Sequence, residues 1–195
     1  PEYEMAFNAK MNLARSLEKG NPDTKKMKEK LLKMAKDDKN KEYLDQIYYT
    51  IAEMEIINRD TVSATKHYTL SVVNSAENNS QKALSFLALG KIYFEKGLYK
   101  SANENYDSTI FYMENDFRLY EETNDRHLIL TDLVSNINII EMQDSLQVLA
   151  KLPKSKQQAI IGSIIQAEIE KEKQTTEDQK LKQQLMYENG INGGK

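Results

Sequence analysis

The chain contains no cysteine and no tryptophan, and only three prolines, seven glycines and two histidines in 195 residues. The lack of cysteine excludes disulfides, thiol catalysis and thiolate-held metal, while leaving the redox compartment open. Scarce proline and glycine remove the residues that most often break regular structure. With Leu, Lys, Glu, Ala and Gln frequent, an all-α chain is the expectation. No run of about 18 apolar residues occurs, so no segment reads as a membrane-spanning helix. No charge of one sign dominates: 27 basic and 30 acidic residues leave a net −3, which points to neither nucleic acid nor an anionic membrane. The hydrophobic fraction is 39% and the charged fraction 29%, the balance of an extended array that buries less surface per residue than a sphere. The length suits one domain, or one repeat array with an appendage.

What is present is a repeat. Tyr48, Ile51, Ala52, Ala64 and Tyr68 match Phe86, Leu89, Gly90, Ala102 and Tyr106, each pair separated by 38 positions. The second copy, Phe86-x-x-Leu89-Gly90-x-x-Tyr93 followed by Ala102-x-x-x-Tyr106, resembles the tetratricopeptide (TPR) pattern of helix hairpins. The aromatic and the small residue lie four apart and share one helix face. The small residue (Ala52, Gly90) lets the second helix of the hairpin approach. Ala64 and Ala102 receive that contact, and Tyr68 and Tyr106 fill the space between hairpins. Two unrelated amphipathic pairs would not repeat five positions at one offset. The period exceeds the usual repeat of about 34, and the polar cluster Asn78-Asn79-Ser80-Gln81 suits a longer turn.

The clear repeats run from about 43 to 76 and from 81 to 113. The first turns at Asn58-Arg59-Asp60, where Asp60 or Thr61 suits a helix cap. The second turns at Lys96-Gly97-Leu98-Tyr99, with Gly97 supplying the turn conformation. Before them, the stripe Met5, Ala6, Ala9, Leu13, Leu17 predicts a helix over 3–19, and Gly20 to Asp23 a turn with Asp23 or Thr24 as cap. A second helix from about Thr24 to Lys36 completes a degenerate hairpin. The Lys-rich stretch Lys25 to Lys41 reads as a solvated helix face. After the repeats, a polar connection is expected from Asn115 to Asn124, with Phe117, Leu119 and Tyr120 packed back. A helix from about Asp125 to Met142 follows, then a shorter one capped by Asp144-Ser145 and ending near Pro153, either a divergent hairpin or a cap. The array is thus placed at 3–152, a charged helical extension at 153–187, with Ile160, Ile161, Ile164, Ile165 and Ile169 on its apolar face, and a flexible end at 188–195. The segment from Glu168 to Gln184 reads as a protruding, loosely packed helix. The beginning at Pro1 and the Gly-rich end are read as those of a fragment, so any targeting signal or lipid anchor would lie outside it.

A search for chemistry returns little. His67 and His127 belong to no metal-ligand spacing, and each reads as an edge histidine. Asp37-Asp38, Glu121-Glu122 and Glu170 with Glu172 fall in charge-rich segments without the shelter that paired catalytic acids need. Gly193-Gly194-Lys195 lacks the rest of a phosphate-binding loop. Tyr48, Tyr68, Tyr93 and Tyr106 sit at packing positions, which accounts for much of the aromatic content without nucleic-acid stacking. No catalytic residue, metal or cofactor is expected. The remaining signal is the inner face lined by the first helix of each hairpin: Tyr49 and Glu53 in one repeat, Leu84, Leu87, Lys91 and Phe94 in the next. Such an apolar groove edged by charge would take a helix or extended peptide, unless flanking hairpins or the C-terminal helix fill it.

A narrower resemblance rests on several segments together. They are Asn40-Lys41-Glu42-Tyr43-Leu44-Asp45-Gln46-Ile47-Tyr48-Tyr49, the run from Gln81 to Phe94, Tyr106-Asp107-Ser108, Leu130-Thr131-Asp132-Leu133 and Asp144-Ser145-Leu146-Gln147. These resemble the TPR region of the PorW/SprE lipoproteins of Bacteroidetes, over about Tyr3 to Glu172. The resemblance implies a segment of a periplasm-facing outer-membrane lipoprotein of type IX secretion and gliding motility. The implied partners are the PorK/PorN ring and the Sov translocon, and the implied lipid anchor lies outside this sequence. It brings no catalytic or binding residues to carry over. Asp60-Thr61-Val62, Asp107-Ser108-Thr109 and Asp144-Ser145-Leu146 also resemble the O-glycosylation triplet of that phylum, although capping explains the first and third. The expectation is therefore a non-enzymatic scaffold, with no nucleic acid as partner and no membrane insertion by this segment. The alternatives are a peptide-capturing TPR co-chaperone or adaptor, and an accessory array of a hydrolase whose catalytic residues lie elsewhere.

Overall fold

The computed structural model describes residues 2–17, 20–114 and 117–192, and among these every regular element is helical. The order is α1 (Glu2–Arg15), α2 (Asp23–Ala35), a 3-10 turn (Asp38–Tyr43), α3 (Leu44–Ile57), α4 (Thr61–Asn74), α5 (Asn79–Glu95), α6 (Tyr99–Tyr112), α7 (Tyr120–Ala150) and α8 (Lys154–Asn192). The chain forms two compact units, Pro1–Ile137 and Asn138–Lys195, divided inside α7. The composition changes at Pro153. Packing sets the division earlier, because Leu130 is the last buried apolar side chain on α7.

In the first unit helices pack in adjacent pairs, α3 on α4 and α5 on α6, with α4 on α5 joining the hairpins. Three cores follow the chain. Phe7, Met11 and Ala14 of α1 meet Leu31 of α2 and Ile47, Ile51 and Met54 of α3. Ala52, Ala64 and Tyr68 meet Leu89 and Ile92 of α5. Ala83 and Leu87 of α5 meet Ala102 and Tyr106 of α6, Met113 and Leu130. The small residues sit where their spacing predicts, since Ala52, Ala64 and Ala102 are fully buried. Tyr68 packs with Leu89 and Ile92 of the next hairpin, as expected, whereas Tyr106 packs inside its own hairpin, against Gly90, and with Leu130 of α7. At Gly90 the reason for a missing side chain is direct. A Cβ there would lie 2.8 Å from Cδ2 and 2.9 Å from Cε2 of Tyr106.

The two turns repeat bond for bond. Asp60 N donates to Glu55 O and Leu98 N to Tyr93 O, both at 2.9 Å; Arg59 N donates to Ile56 O and Gly97 N to Phe94 O, again at 2.9 Å. Each pair keeps the offset of 38 and forms the six-to-one and five-to-two bonds that close a helix. The motif needs a left-handed residue, and Gly97 takes it at φ +70 while Arg59 takes it at φ +63. Asp60 Oδ1 accepts from Ser63 N at 3.0 Å, the cap its position predicts. Asn78 Oδ1 caps α5 through Gln81 N in the same way.

Several expected boundaries change. α1 ends at Arg15, and positions 18 and 19 of the longer helix expected there lie outside the described residues. The cap position of α2 is Pro22, with no side-chain cap bond, and Asp23 and Thr24 lie inside the helix and do not cap it; Asn21 Oδ1 accepts from Asp23 N at 2.9 Å. The Lys-rich stretch carries a buried stripe, since Leu31 is fully buried with Met27, Leu32 and Met34 against the first core. α7 begins at Tyr120, inside the expected connection, whose positions 115 and 116 lie outside the described residues. The shorter helix capped by Asp144 does not exist. Asp144 and Ser145 lie within α7, which runs 31 residues without a break. No glycine or proline interrupts it, and Ser145 Oγ turns back to donate to Glu141 O at 2.7 Å, the helix-interior alternative to capping.

The second unit contains the end of α7 and all of α8, a helix of 39 residues. The Lys/Glu/Gln-rich stretch 168–184 is helical, and its described side chains are exposed. α8 runs to Asn192, and residues 193–195 of the expected flexible end, including the Gly-Gly-Lys remnant, lie outside the described residues.

Candidate functional site

α3 and α5 are the first helices of the two clear hairpins, and they carry the six residues of the expected inner face. On α3, Tyr49 and Glu53 lie one turn apart. The Arg15 guanidinium, from the last turn of α1, reaches both: its Nε is 2.9 Å from Glu53 Oε2, and its carbon sits 5.7 Å from the centre of the Tyr49 ring. Tyr49 meets Tyr68 edge-on at 5.3 Å. Burial pushes the Tyr49 hydroxyl up to about 12, the Glu53 charge acts in the same direction, and Arg15 opposes it. Burial likewise raises the Glu53 carboxyl, against the pull of Arg15. A carboxylate held by one guanidinium at the edge of a half-buried aromatic is a place where an incoming cation or amide can compete, and Glu53 is still about one-third exposed.

On α5 the four residues separate. Leu87 is buried in the third core beneath α7, and the space left around it is a cavity of about 10 Å³ that Lys91 also lines, with Tyr106, Leu119, Glu122, Thr123 and Arg126, about the room for one water. α7 is fixed there by two polar pairs with α6: His127 Nε2 lies 2.5 Å from Asp107 Oδ1, and Thr131 Oγ1 donates to Asn103 Oδ1 at 3.1 Å. Leu84 is half-buried, while Lys91 and Phe94 are exposed. Phe94 is held edge-on by Tyr99 at 5.6 Å, and Leu98 beside it is exposed. The surface open to a partner on α5 is therefore Leu84, Lys91 and Phe94. Leu87 supports it from below, a division that helical spacing alone could not reveal because α7 arrives from a distant part of the chain.

Two buried polar clusters escaped the sequence reading. Glu55 is almost fully buried between Lys28, whose Nζ lies 2.5 Å from Oε1, and His67, whose Nδ1 lies 2.8 Å from Oε2. The Lys28 approach is an ion pair without the angle of a hydrogen bond. The group ties α2, α3 and α4 together beside an open cleft of about 400 Å³ that runs from Gly20 and Thr24 to Asn58 and Asp60. Both oxygens of Glu55 are thus engaged between α2 and α4. In the second cluster, Asp45 Oδ2 accepts from Asn78 Nδ2 at 2.9 Å, and Ser71 Oγ donates to Asp45 O at 2.7 Å. Ser71 and Ser85 share a bond of 2.7 Å between α4 and α5. Burial raises the Asp45 carboxyl, against its hydrogen bonds to Gln46, Asn78 and Ser75. This cluster seats the long turn at 75–78 and accounts for the period of 38. The only sequence signal was the polar run itself. Among the described residues no group of three or more His, Asp or Glu could hold a metal ion, and no helix is long and apolar enough to cross a membrane.

The fold defines the class: an all-α chain of adjacent helix pairs, consistent with a helical-hairpin solenoid. Beyond the class, no known family model matches the chain, and no curated protein matches it.

Proposed function

We propose that this chain is a non-enzymatic scaffold that holds protein partners on the ridge formed by α3 and α5. The observation that carries the proposal is the juxtaposition on α5 of exposed Phe94 and Lys91 with half-buried Leu84, next to the Arg15–Glu53 pair over Tyr49 on α3. An aromatic and a charge pair at such a rim are the residue types that anchor interfaces. Because Arg15 and α7 occupy parts of the inner face, the proposed partner is a folded surface that meets the ridge, in preference to an extended peptide threaded along a groove. The resemblance to the PorW/SprE lipoproteins supports a place in type IX secretion and gliding motility, at the periplasmic side of the outer membrane, with the PorK/PorN ring and the Sov translocon as the partners held in register.

The test is capture by the immobilised chain from a detergent-solubilised envelope extract of a type IX-secreting bacterium, repeated with Tyr49→Ala plus Phe94→Ala. Retention of ring or translocon components, reduced on the order of tenfold or more by the double substitution, is expected. Unchanged capture by a folded variant removes the ridge from the proposal. Retention of peptide tails alone replaces the scaffold with the capture module.

A further inference from the structure

Helix α1 presents two apolar stripes, and its own unit buries only one. Phe7, Met11 and Ala14 belong to the first core. Met5, Ala9 and Leu13, three residues of the stripe that predicts this helix, stay exposed, Met5 at 69% and Leu13 at 54%. The repeat offset shows what this second stripe is. Adding 38 once to positions 5, 9, 13 and 16 gives Tyr43, Ile47, Ile51 and Met54, and adding it twice gives Gln81, Ser85, Leu89 and Ile92. Steps of four, four and three follow one side of a helix. In both later sets that side packs on the hairpin just before it. Ile47, Ile51 and Met54 are buried with Leu31 of α2, and Tyr43 packs against the same core. Leu89 and Ile92 are buried with Tyr68 of α4, Gln81 is buried, and Ser85 shares a hydrogen bond with Ser71 of α4. On α1 the corresponding Met5, Ala9, Leu13 and Ser16 are all exposed.

We propose that Met5, Ala9 and Leu13 seat the second helix of a further hairpin of the same repeat, carried in the polypeptide directly ahead of α1, independently of the partners held by α3 and α5. The two interfaces within the first unit select this occupant. Each sets the second helix of one hairpin on the first helix of the next, α2 on α3 and α4 on α5. In each, the covering helix is the one just ahead in the chain. Each covering helix also brings one large buried side chain, Leu31 or Tyr68, so the proposed helix carries a large apolar or aromatic residue opposite Leu13. A second copy meeting this face through its own α1 supplies no second helix, which both interfaces use. The chemistry of the face agrees. A helix that closes an array turns polar side chains to water, whereas α1 sets Met5 and Leu13 there. Covering them takes apolar surface out of water, as at Ile51 and Leu89.

Thiol labelling tests the seat, because the chain has no cysteine of its own. Ala9→Cys lies at a position where Ile47 and Ser85 are fully buried, and Glu4→Cys at one where Glu42 and Ser80 are exposed. Each is placed in the 195-residue chain and in the natural polypeptide with the residues that its gene encodes ahead of Pro1. A maleimide should label both positions at similar rates in the shorter chain. In the longer polypeptide Ala9→Cys should react about tenfold more slowly, while Glu4→Cys keeps its rate. Leu13→Lys should leave the denaturation midpoint of the shorter chain unchanged and restore fast labelling of Ala9→Cys in the longer one. Equal rates at the two positions in the longer polypeptide, or no helix pair ahead of α1 in it, would overturn the proposal. Protection of Ala9→Cys already in the shorter chain would overturn it too: protection that grows with protein concentration gives the face to a second copy, and protection independent of concentration gives it to another part of this chain.

Discussion

The hairpins α3–α4 and α5–α6 share one backbone and solve its constraints with different residues. Where the second helix crosses the first, one uses Ala52 with Ala64 and the other Gly90 with Ala102. At the left-handed turn position one uses Arg59 and the other Gly97. At the head of the first helix one buries the charged Asp45 and the other Ala83. The period of 38 is thus a constraint on space and backbone angle, and it tolerates any residue that meets that constraint. Chemistry varies where a neighbour differs. Asp45 is kept by the turn that follows α4, and Gly90 by the ring of Tyr106, which presses closer than a methyl group allows.

Truncating the buried rings of Tyr68 and Tyr106 gives the largest expected effect. Tyr106→Ala should cost about 3–5 kcal/mol, the range for a fully buried aromatic, measured by chemical denaturation. Tyr68→Ala should cost less, because the Tyr68 ring shares its site with partly exposed Tyr49. Equal losses would break the distinction between the two sites.

Gly90→Ala comes next. Alanine gains about 1 kcal/mol of helix propensity over glycine, but the added carbon meets a buried ring below 3 Å, and overpacking of this kind costs about 1–3 kcal/mol. Net destabilisation is expected, and it should disappear in a Tyr106→Leu background. A double-mutant cycle with no coupling would show that the ring moves aside freely. Ala52→Gly, the reverse change in the other hairpin, should lose about 1 kcal/mol through propensity and about 1 kcal/mol more through the buried methyl it removes.

The turn position sharpens the comparison further. Arg59→Gly should stabilise the chain by up to about 1–2 kcal/mol, the strain of a side chain in the left-handed region, and Gly97→Ala should destabilise it by about the same amount. A fall in the thermal midpoint of Arg59→Gly would mean that the Arg59 side chain contributes more than its backbone strain costs.

The smallest effect is in pH. Burial raises the Asp45 and Glu53 carboxyls above their ordinary 3.8 and 4.5. Their contribution to stability is therefore full below those ordinary values and is lost as pH rises through the raised folded values. Exposed Asp37 and Asp60 are lowered, by hydrogen bonds from Lys39 and Ser63, so theirs is present above 3.8 and lost as pH falls. Across the acid range, Asp45→Asn should gain stability relative to the unsubstituted chain as pH rises. A constant difference would remove Asp45 from this account. Ala83 holds the matching place in the other hairpin and has no proton to lose.

The repeat offset, the two clear hairpins and the caps at Asp60 and Gly97 were legible because each depends on local spacing or backbone angle. The small residue Ala14 continues the series of Ala52 and Gly90 at the same offset of 38 and is fully buried, a mark of the first hairpin that the degenerate motif concealed. The merging of two expected helices into α7 was not legible, because Asp-Ser serves equally as a cap or as a helix-interior pair, and only the hydrogen bond to Glu141 decides. The six residues expected on an inner face lie on α3 and α5. Spacing could not say that Arg15 would lie over Tyr49 or that α7 would close over Leu87.

By itself, then, the sequence determined an all-helical chain, the period of its hairpins and the residues that had to be small or left-handed, since these follow from steric limits within one or two turns of backbone. The tertiary structure alone decided which residues of that surface stay open and how Glu55 and Asp45 are satisfied in the interior. Those outcomes depend on groups brought together from positions far apart in sequence, where burial and partner geometry, and not local spacing, set the energy.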